Sequence, residues 1–365
     1  MTYKDTLFFI GKCLTITHEE ANKADIEKLL QTNTVNWDAV VQVSTAHYVF
    51  PALYLNLQRA GFLHYLPEDL VSYMAHITEV NRERNTQIIA QAKEINTLLR
   101  NNDITPIFLK GTGNLVEGLY PDIAERMVGD IDFIVEQPLF LKAAAILEDH
   151  GYISKNNINI GMHWHYPGLV HPDKIALVEV HQKILKDDYQ QTLGISLFSE
   201  VKHLEGELTV LSIQNKLLAT TLPKIINDNL YHKKAITLRN AYDVYLLSIQ
   251  EPIYLAKIPS QNIKKKLINY ISCMKMIFAN TPMITVVENQ HTTAYQKSFL
   301  SLLEQNVFER KKVKLIDFYI TQKNRLIILK RTFTHPAYRN FVRKRMAQKS
   351  FWKKYLLGKS EGLGV

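Results

Sequence analysis

An Asp-Ile-Asp stretch at residues 130–132, followed by the apolar run Phe-Ile-Val, constrains the fold more than any other part of the sequence. Aspartate is a poor strand former, yet here two aspartates open an otherwise apolar strand. Alternate residues of a strand point to the same face, so Asp130 and Asp132 should project together. Two carboxylates this close repel each other unless a cation lies between them, most often a divalent metal ion. The stretch therefore predicts a strand with a metal-binding face; the alternative interpretation is a solvated strand edge.

A glycine-containing segment at residues 110–113, Lys-Gly-Thr-Gly, precedes this strand and follows a short apolar strand predicted at residues 104–109. We predict a tight turn there, followed by a short helix at residues 114–119. Backbone N–H groups in a glycine turn that leads into a helix N-terminus bind anions. The segment is therefore predicted to place a phosphate-binding turn next to the metal-binding strand.

A second acidic strand is predicted at residues 175–181, where side chains should alternate between two faces. Leu177, Glu179 and His181 should share one of these faces. If this strand neighbours residues 130–136, Glu179 lies beside the two aspartates. Three carboxylates on one face suit a pair of Mg²⁺ ions that are held by few protein ligands.

The order of these features resembles the nucleotidyltransferase superfamily that includes DNA polymerase beta, and one bacterial nucleotidyltransferase family in particular. That family carries Leu-Lys-Gly, Tyr-Pro-Asp, an arginine, Asp-x-Asp, a helix that ends in Gly-Tyr, and Glu-x-His on a later strand. The corresponding residues here are Leu109-Lys110-Gly111, Tyr120-Pro121-Asp122, Arg126, Asp130 and Asp132, Gly151-Tyr152, and Glu179-Val180-His181. The resemblance covers about residues 30–250. It departs at the turn, where the superfamily usually has Gly-Ser and this chain has Gly111-Thr112 behind a lysine.

The resemblance implies an α+β fold, in which a small mixed sheet is flanked by N-terminal and C-terminal helical regions. It also implies transfer of a nucleoside monophosphate from an NTP to a hydroxyl of a small molecule or protein, with release of pyrophosphate. Asp130, Asp132 and Glu179 would be the catalytic residues and the ligands of two Mg²⁺ ions.

The resemblance further implies a set of contacts to the NTP. Gly111 and Thr112 would bind the β- and γ-phosphates through backbone amides and one hydroxyl. Lys110 and Arg126 are the cations nearest to this site in sequence. Either is expected to neutralise charge that builds up on the leaving pyrophosphate.

Three other functions compete with an active nucleotidyltransferase. A non-catalytic nucleotide- or partner-binding protein would use the same fold, and a nucleic-acid enzyme or binder would use a basic C-terminal segment. A zinc hydrolase would use His163 and His165 with His181, but the sequence has no helical His-x-x-x-His pair, so zinc is disfavoured. We expect His181 to lie near Glu179, and His163 or His165 to line the acceptor side of the cleft, while His171 completes this histidine-rich patch.

Helical periodicity dominates the rest of the chain. We predict helices at residues 25–31, 37–46, 49–58, 81–101, 138–149, 212–226 and 234–249, and two or three more within 261–345. One or two strands are expected within 152–170, and the pattern from residue 186 onward is helical. Arg239 and Asp243 lie four residues apart on one helix, where they have the spacing of an ion pair. We expect them to make structural contacts with the core.

Four segments are predicted from these patterns: an N-terminal helical region (1–100), an α/β core (101–185), a helical region (186–300) and a basic helical tail (301–365). The chain carries a net charge of +9, but the last 65 residues hold 16 Lys/Arg and only 4 Asp/Glu. The basic charge therefore belongs to the tail. Solvated helical faces are the favoured interpretation there, and nucleic acid or an anionic membrane surface are the alternatives.

The cysteine content and the hydropathy pattern bear on the expected cellular compartment. Cys13 and Cys273 are too few and too far apart for a disulfide framework, which suits a reducing compartment. The apolar run at residues 7–11 is too short for the core of a signal peptide. No stretch approaches the roughly 20 apolar residues of a membrane span, so a cytoplasmic location is expected.

Overall fold

The computed structural model describes residues 1–154, 164–186, 198–255, 258, 260–285, 287, 289–334 and 336–347. Within these residues, seven strands form one mixed sheet, and helices precede and follow it. The predicted α+β fold class is confirmed. Among the described residues, no helix combines the length and the apolar character needed to cross a bilayer.

The sheet has the order β3-β4-β5-β2-β1-β7-β6. Its strands are β1 (Ile107–Phe108), β2 (Asp130–Ile134), β3 (Ile153–Ser154), β4 (Leu169–Val170), β5 (Leu177–His181), β6 (Val201–His203) and β7 (Thr209–Leu211). β2 runs parallel to β5, and β1 runs parallel to β7. The remaining neighbours are antiparallel. The two longest strands, β2 and β5, are therefore direct neighbours at the centre.

The described α-helices fall into three groups along the chain. Before the sheet lie α1 (Tyr3–Thr15), α2 (Glu20–Gln31), α3 (Trp37–Ala46), α4 (Phe50–Arg59) and α5 (Glu68–Arg100). Between strands lie α6 (Lys110–Glu117) and α7 (Phe140–Asp149). After the sheet lie α8 (Ile213–Leu222), α9 (Leu230–Lys233), α10 (Leu238–Ser248), α11 (Gln261–Phe278), α12 (Gln290–Leu303), α13 (Val307–Thr334) and α14 (Pro336–Met346).

Local sequence signals account for several of these helices. Ser212 caps α8, because its side chain accepts a hydrogen bond from the backbone N–H of Asn215. On α5, the apolar residues at positions 88, 92, 95 and 99 are all buried, so they form one apolar face of the helix. The helix itself is longer than predicted, since Glu68–Arg100 is continuous and includes nearly all of the predicted segment 81–101.

The helical pattern predicted from residue 186 onward is wrong for residues 201–211. These residues form the hairpin β6–β7, which joins the sheet by parallel pairing of β7 with β1. The hairpin turns at Gly206 and Glu207, which both have positive φ. Strands of three residues are too short to show alternation, so they are identified by the pairing of β6 with β7 and of β7 with distant β1. Among the described residues from 261 onward there are four α-helices, where two or three were predicted within 261–345.

Helices that precede the sheet in the sequence pack against helices that follow it. α1 lies against α11, where Gly11 faces Ile277. The buried Asn22 amide donates to Thr15 Oγ1 at 2.8 Å and to the Phe278 carbonyl at 2.7 Å. Residues from the predicted segments 1–100 and 186–300 therefore share one hydrophobic core.

Close approach of α6 to the sheet depends on Gly113. A Cβ atom at this position would lie 2.6 Å from the carbonyl oxygen of Phe108 in β1. That contact is with backbone, which cannot move aside without disturbing the sheet. The small residue thus allows α6 to lie directly against β1.

Gly113→Ala is expected to reduce the free energy of unfolding by about 1–3 kcal/mol, because α6 must move away from β1. Chemical denaturation of the two proteins measures the difference. Gly129→Ala is the matched control, since a Cβ there meets nothing within 4 Å. Equal stability of the two variants would show that α6 does not need this close contact.

Candidate active site

The acidic residues of β2 and β5 lie on the same face of the sheet. The parallel register places Asp132 directly beside Glu179, and Asp130 lies two residues earlier on the same face. Asp132 is buried, whereas Glu179 and Asp130 are partly exposed. The structure thus brings Asp132 and Glu179 directly together, whereas Asp130 shares their face but lies outside the group of ligand atoms that could share one ion. Their roles stay predictions.

His181 joins this acidic face at the end of β5. Its Nε2 atom lies 2.7 Å from Asp132 Oδ1 and 3.4 Å from Glu179 Oε2. Ligand atoms of Asp132, Glu179 and His181 all lie within 4.8 Å of one another, close enough to share an ion. His181 therefore contacts Asp132 as well as the Glu179 that the sequence assigned to it.

Lys110 supplies a positive charge to the same carboxylates. Its Nζ donates a hydrogen bond of 2.7 Å to Asp132 Oδ1. Lys110 is the first residue of α6 and has a φ of +48°, a left-handed conformation that is unfavourable for a residue with a Cβ. Strain of this kind concentrates at functional sites. The sequence assigned Lys110 to the pyrophosphate, whereas the structure places its ammonium group on the acidic face.

The charges on this face perturb one another. Repulsion from Asp132, together with burial, raises the pKa of Asp130 to about 6. Burial opposes ionisation of Asp132, but Lys110 and His181 outweigh it and hold the pKa of Asp132 well below its usual range. Lys110 and His181 therefore do not fully offset the repulsion between the carboxylates of the acidic face. This remaining repulsion favours binding of a further cation.

The glycine segment is the first turn of α6 and not the separate tight turn that was predicted. The helix begins at Lys110, and its first internal hydrogen bond runs from the Gly113 N–H to the Leu109 carbonyl at 2.9 Å. The N–H groups of residues 110–112 precede this bond and so have no acceptor within the helix. The buried Thr112 hydroxyl donates to the Asp130 carbonyl at 3.0 Å. The Thr112 hydroxyl is thus engaged with the backbone of β2, and contact of the N–H groups with a phosphate stays a prediction.

Arg126 lies behind α6 in a buried ion pair. Its Nη2 and Nε atoms donate to Asp243 Oδ2 at 2.8 and 3.1 Å, and the Tyr120 hydroxyl donates to Asp243 Oδ1. A Cβ at Gly111 would lie 3.5 Å from the Arg126 guanidinium carbon. The guanidinium thus supports the start of α6 from within the core. Contact of Arg126 with pyrophosphate stays a prediction.

Arginines from two helices and from the loop itself bind the loop that leads into β2. The Met127 carbonyl accepts hydrogen bonds of 2.9 Å from both Arg126 and Arg239. Arg84 on α5 approaches the next two carbonyls at 3.4 Å. Arg239 and Asp243 thus make structural contacts with the core, as expected. They do not pair with each other: Arg239 bonds to the Met127 carbonyl, and the ion-pair partner of Asp243 is Arg126. These contacts fix the position at which Asp130 begins β2.

The other histidines of the predicted patch have different surroundings. His165 forms an isolated antiparallel bridge with His181, and the two ring centroids lie 5.3 Å apart. His171 packs edge-on against Tyr152. His163 lies outside the described residues. Within the described chain, the metal-capable group at this site is Asp132, Glu179 and His181 rather than a cluster of histidines.

The Tyr-Pro-Asp motif has a structural role that the sequence did not show. Tyr120 donates to Asp243, 123 residues away. Asp122 accepts a hydrogen bond of 2.8 Å from Arg82 and another of 2.8 Å from the Ala124 N–H. Asp243 is far from Tyr120 in the chain, and Arg82 is far from Asp122, so no local spacing could reveal either contact. An aspartate among the apolar residues of a helix, as at position 243, was the available signal.

Comparison with known protein families matches residues 33–274 to a family described as uncharacterised nucleotidyltransferase. Neither the curated proteins nor the solved structures contain a significant match to the chain. The matched range includes β2, β5, α6 and the arginine contacts around Met127, so it covers all the residues of the acidic face.

Proposed function

Because the chain belongs to the uncharacterised nucleotidyltransferase family and is therefore a nucleotidyltransferase, we propose that it transfers a nucleoside monophosphate from an NTP to a hydroxyl group. The acceptor would be a small molecule or a protein, and pyrophosphate would be released. The observation that carries this proposal is the placement of Asp132 directly beside Glu179, with Asp130 on the same face, next to α6. Intact carboxylates favour an active enzyme over a non-catalytic binding protein.

The donor set of the acidic face fits divalent metal ions. Asp130, Asp132 and Glu179 offer the oxygen ligands that Mg²⁺ prefers, and the raised pKa of Asp130 shows that their charges repel. We propose that these residues hold two Mg²⁺ ions, with Glu179 contributing to the ion nearer the acceptor. When bound, such ions polarise the phosphate and lower the pKa of the acceptor hydroxyl.

The residues of the chain have separate tasks in the transfer. The acceptor oxygen forms a bond to the α-phosphorus, the bond from that phosphorus to pyrophosphate breaks, and the hydroxyl proton is released to water. The N–H groups at the start of α6 would orient the triphosphate, since a helix N-terminus favours anions. Lys110 lies beside these carboxylates, with its Nζ 2.7 Å from Asp132 Oδ1, and its ammonium group would neutralise charge on the triphosphate bound there. His181 donates to Asp132 and keeps that carboxylate in place.

Incubation of the full chain with each α-labelled NTP, Mg²⁺ and cell extract tests the proposal and identifies the labelled acceptor. We expect label transfer that EDTA abolishes, because the carboxylates need a divalent ion to bind the triphosphate. Glu179→Gln should reduce transfer by about 100-fold or more.

Glu251→Gln is the matched control, since this exposed glutamate lies beyond the strands of the sheet. NTP binding without label transfer would instead support a non-catalytic binding protein. Transfer that persists in EDTA or in Glu179→Gln would contradict the assigned metal site.

A further inference from the structure

The long helix α13 presents a line of large apolar side chains to solvent. These residues and their exposed fractions are Phe308 74%, Leu315 71%, Tyr319 69%, Leu326 66% and Phe333 76%. With 3.6 residues per turn, all five lie within about 20° of one line along the helix. In the described part of the chain this line faces away from the protein. Contiguous exposed apolar surface of this kind marks an interaction site.

Positive charge surrounds this apolar line. α13 contains eight Lys/Arg and two Asp/Glu, a formal charge of +6. At 100° per residue, Lys311, Lys312, Lys323 and Lys330 lie within about 60° of the apolar line. Lysine side chains at such positions can reach outward beside the apolar residues. The outer face of α13, defined by these lysines and the five apolar residues, is therefore both apolar and cationic.

The acidic residues of α13 are directed elsewhere. Glu309 Oε2 accepts a hydrogen bond of 2.6 Å from Ser298 of α12. Asp317 lies 3.8 Å from Lys233 of α9. Both carboxylates thus face the body of the protein, where α13 contacts α9 and α12. Glu309 also lies 3.9 Å from Lys312, at the edge of the outer face. The charged residues that define the outer face itself are all lysines.

We propose that the outer face of α13 binds the surface of an anionic lipid bilayer, with the helix lying in the plane of the interface. Phe, Leu and Tyr side chains would enter the boundary between headgroups and acyl chains, and the lysines would contact lipid phosphates. If a second copy of the chain bound through the same face, two helices of charge +6 would face and repel each other. Nucleic acid would use the lysines but would leave the aliphatic side chains in water. A bilayer satisfies both parts of the face.

Flotation of the full chain with lipid vesicles tests this proposal. We expect at least about 10-fold tighter binding to vesicles that contain phosphatidylglycerol than to pure phosphatidylcholine, and weaker binding at high salt. Leu315→Asp/Leu326→Asp should reduce binding to the anionic vesicles at least about 10-fold, because it places charge in the apolar line. Leu141→Asp is the control, since Leu141 is also an exposed leucine on a helix, with 54% of its surface accessible.

Four results would overturn the proposal. The first is no binding to anionic vesicles, and the second is equal binding to both kinds of vesicle. The third is equal loss of binding in Leu141→Asp and the double variant. The fourth is a dimer in light scattering that the double variant dissociates, which would assign the face to self-association. Retained binding of Leu141→Asp together with loss in the double variant supports it.

Discussion

Asp132→Asn is expected to lower the rate of nucleotidyl transfer by at least about 1,000-fold, which corresponds to about 4 kcal/mol of transition-state stabilisation. Asp132 is the carboxylate at the centre of the acidic face, where Lys110, His181 and the neighbouring Glu179 all meet it. The amide keeps the shape of the side chain but removes the charge that a divalent ion requires. Rates of label transfer at saturating NTP measure the loss.

A stable fold is expected in the same variant, so that loss of activity can be assigned to the site. Neutralising Asp132 weakens its attraction to Lys110 and His181, but it also relieves the repulsion with Asp130 that raises the pKa of that residue. These effects oppose each other, and thermal unfolding should therefore change little. Binding of Mn²⁺ or Mg²⁺ measured by calorimetry provides a second readout and should weaken strongly.

Asp38→Asn is the matched control, because Asp38 is an exposed aspartate on α3, outside the acidic face. It should transfer nucleotide at the rate of the unchanged protein. Full activity in Asp132→Asn would mean that the acidic face is not the catalytic centre.

Arg126→Met is expected to lower the free energy of unfolding by about 3–5 kcal/mol, the cost of leaving one partner of a buried ion pair alone. Asp243 is fully buried, and without Arg126 only Tyr120, among the described side chains that bond to it, would still donate to its carboxylate. The start of α6 and the Met127 carbonyl would lose the same guanidinium. Urea denaturation measures the change in stability.

The double variant Arg126→Met/Asp243→Leu should recover part of the lost stability, because it removes the unpaired charge together with its partner. Arg84→Met is the control, since Arg84 approaches the neighbouring loop carbonyls only at 3.4 Å and should cost less than about 1 kcal/mol. Unchanged stability of Arg126→Met with a raised KM for NTP would instead show that Arg126 acts on the phosphates.

Local patterns predicted the main parts of this protein well. The fold class follows from helical periodicity around a few short apolar strands, and the family from the motifs along residues 109–181. Alternation along a strand is a local property, so spacing alone correctly grouped Asp130 with Asp132 and Glu179 with His181. Helix boundaries were also readable where a cap is present, as at Ser212.

Tertiary structure decided the features that depend on partners far apart in the chain. The hairpin at 201–211 exists as part of the sheet because β7 pairs with β1, about a hundred residues earlier. Arg126 finds Asp243 across 117 residues, and Lys110 turns onto Asp132 rather than to solvent. The sequence by itself determined that Asp130 and Asp132 share a face, because that depends on a spacing of two residues. The pairing of β2 with β5 decided that Glu179 lies beside them. Only the folded chain decided which charges meet in the core. A buried charge is stable only when it is paired, and the packing of distant segments determines its partner.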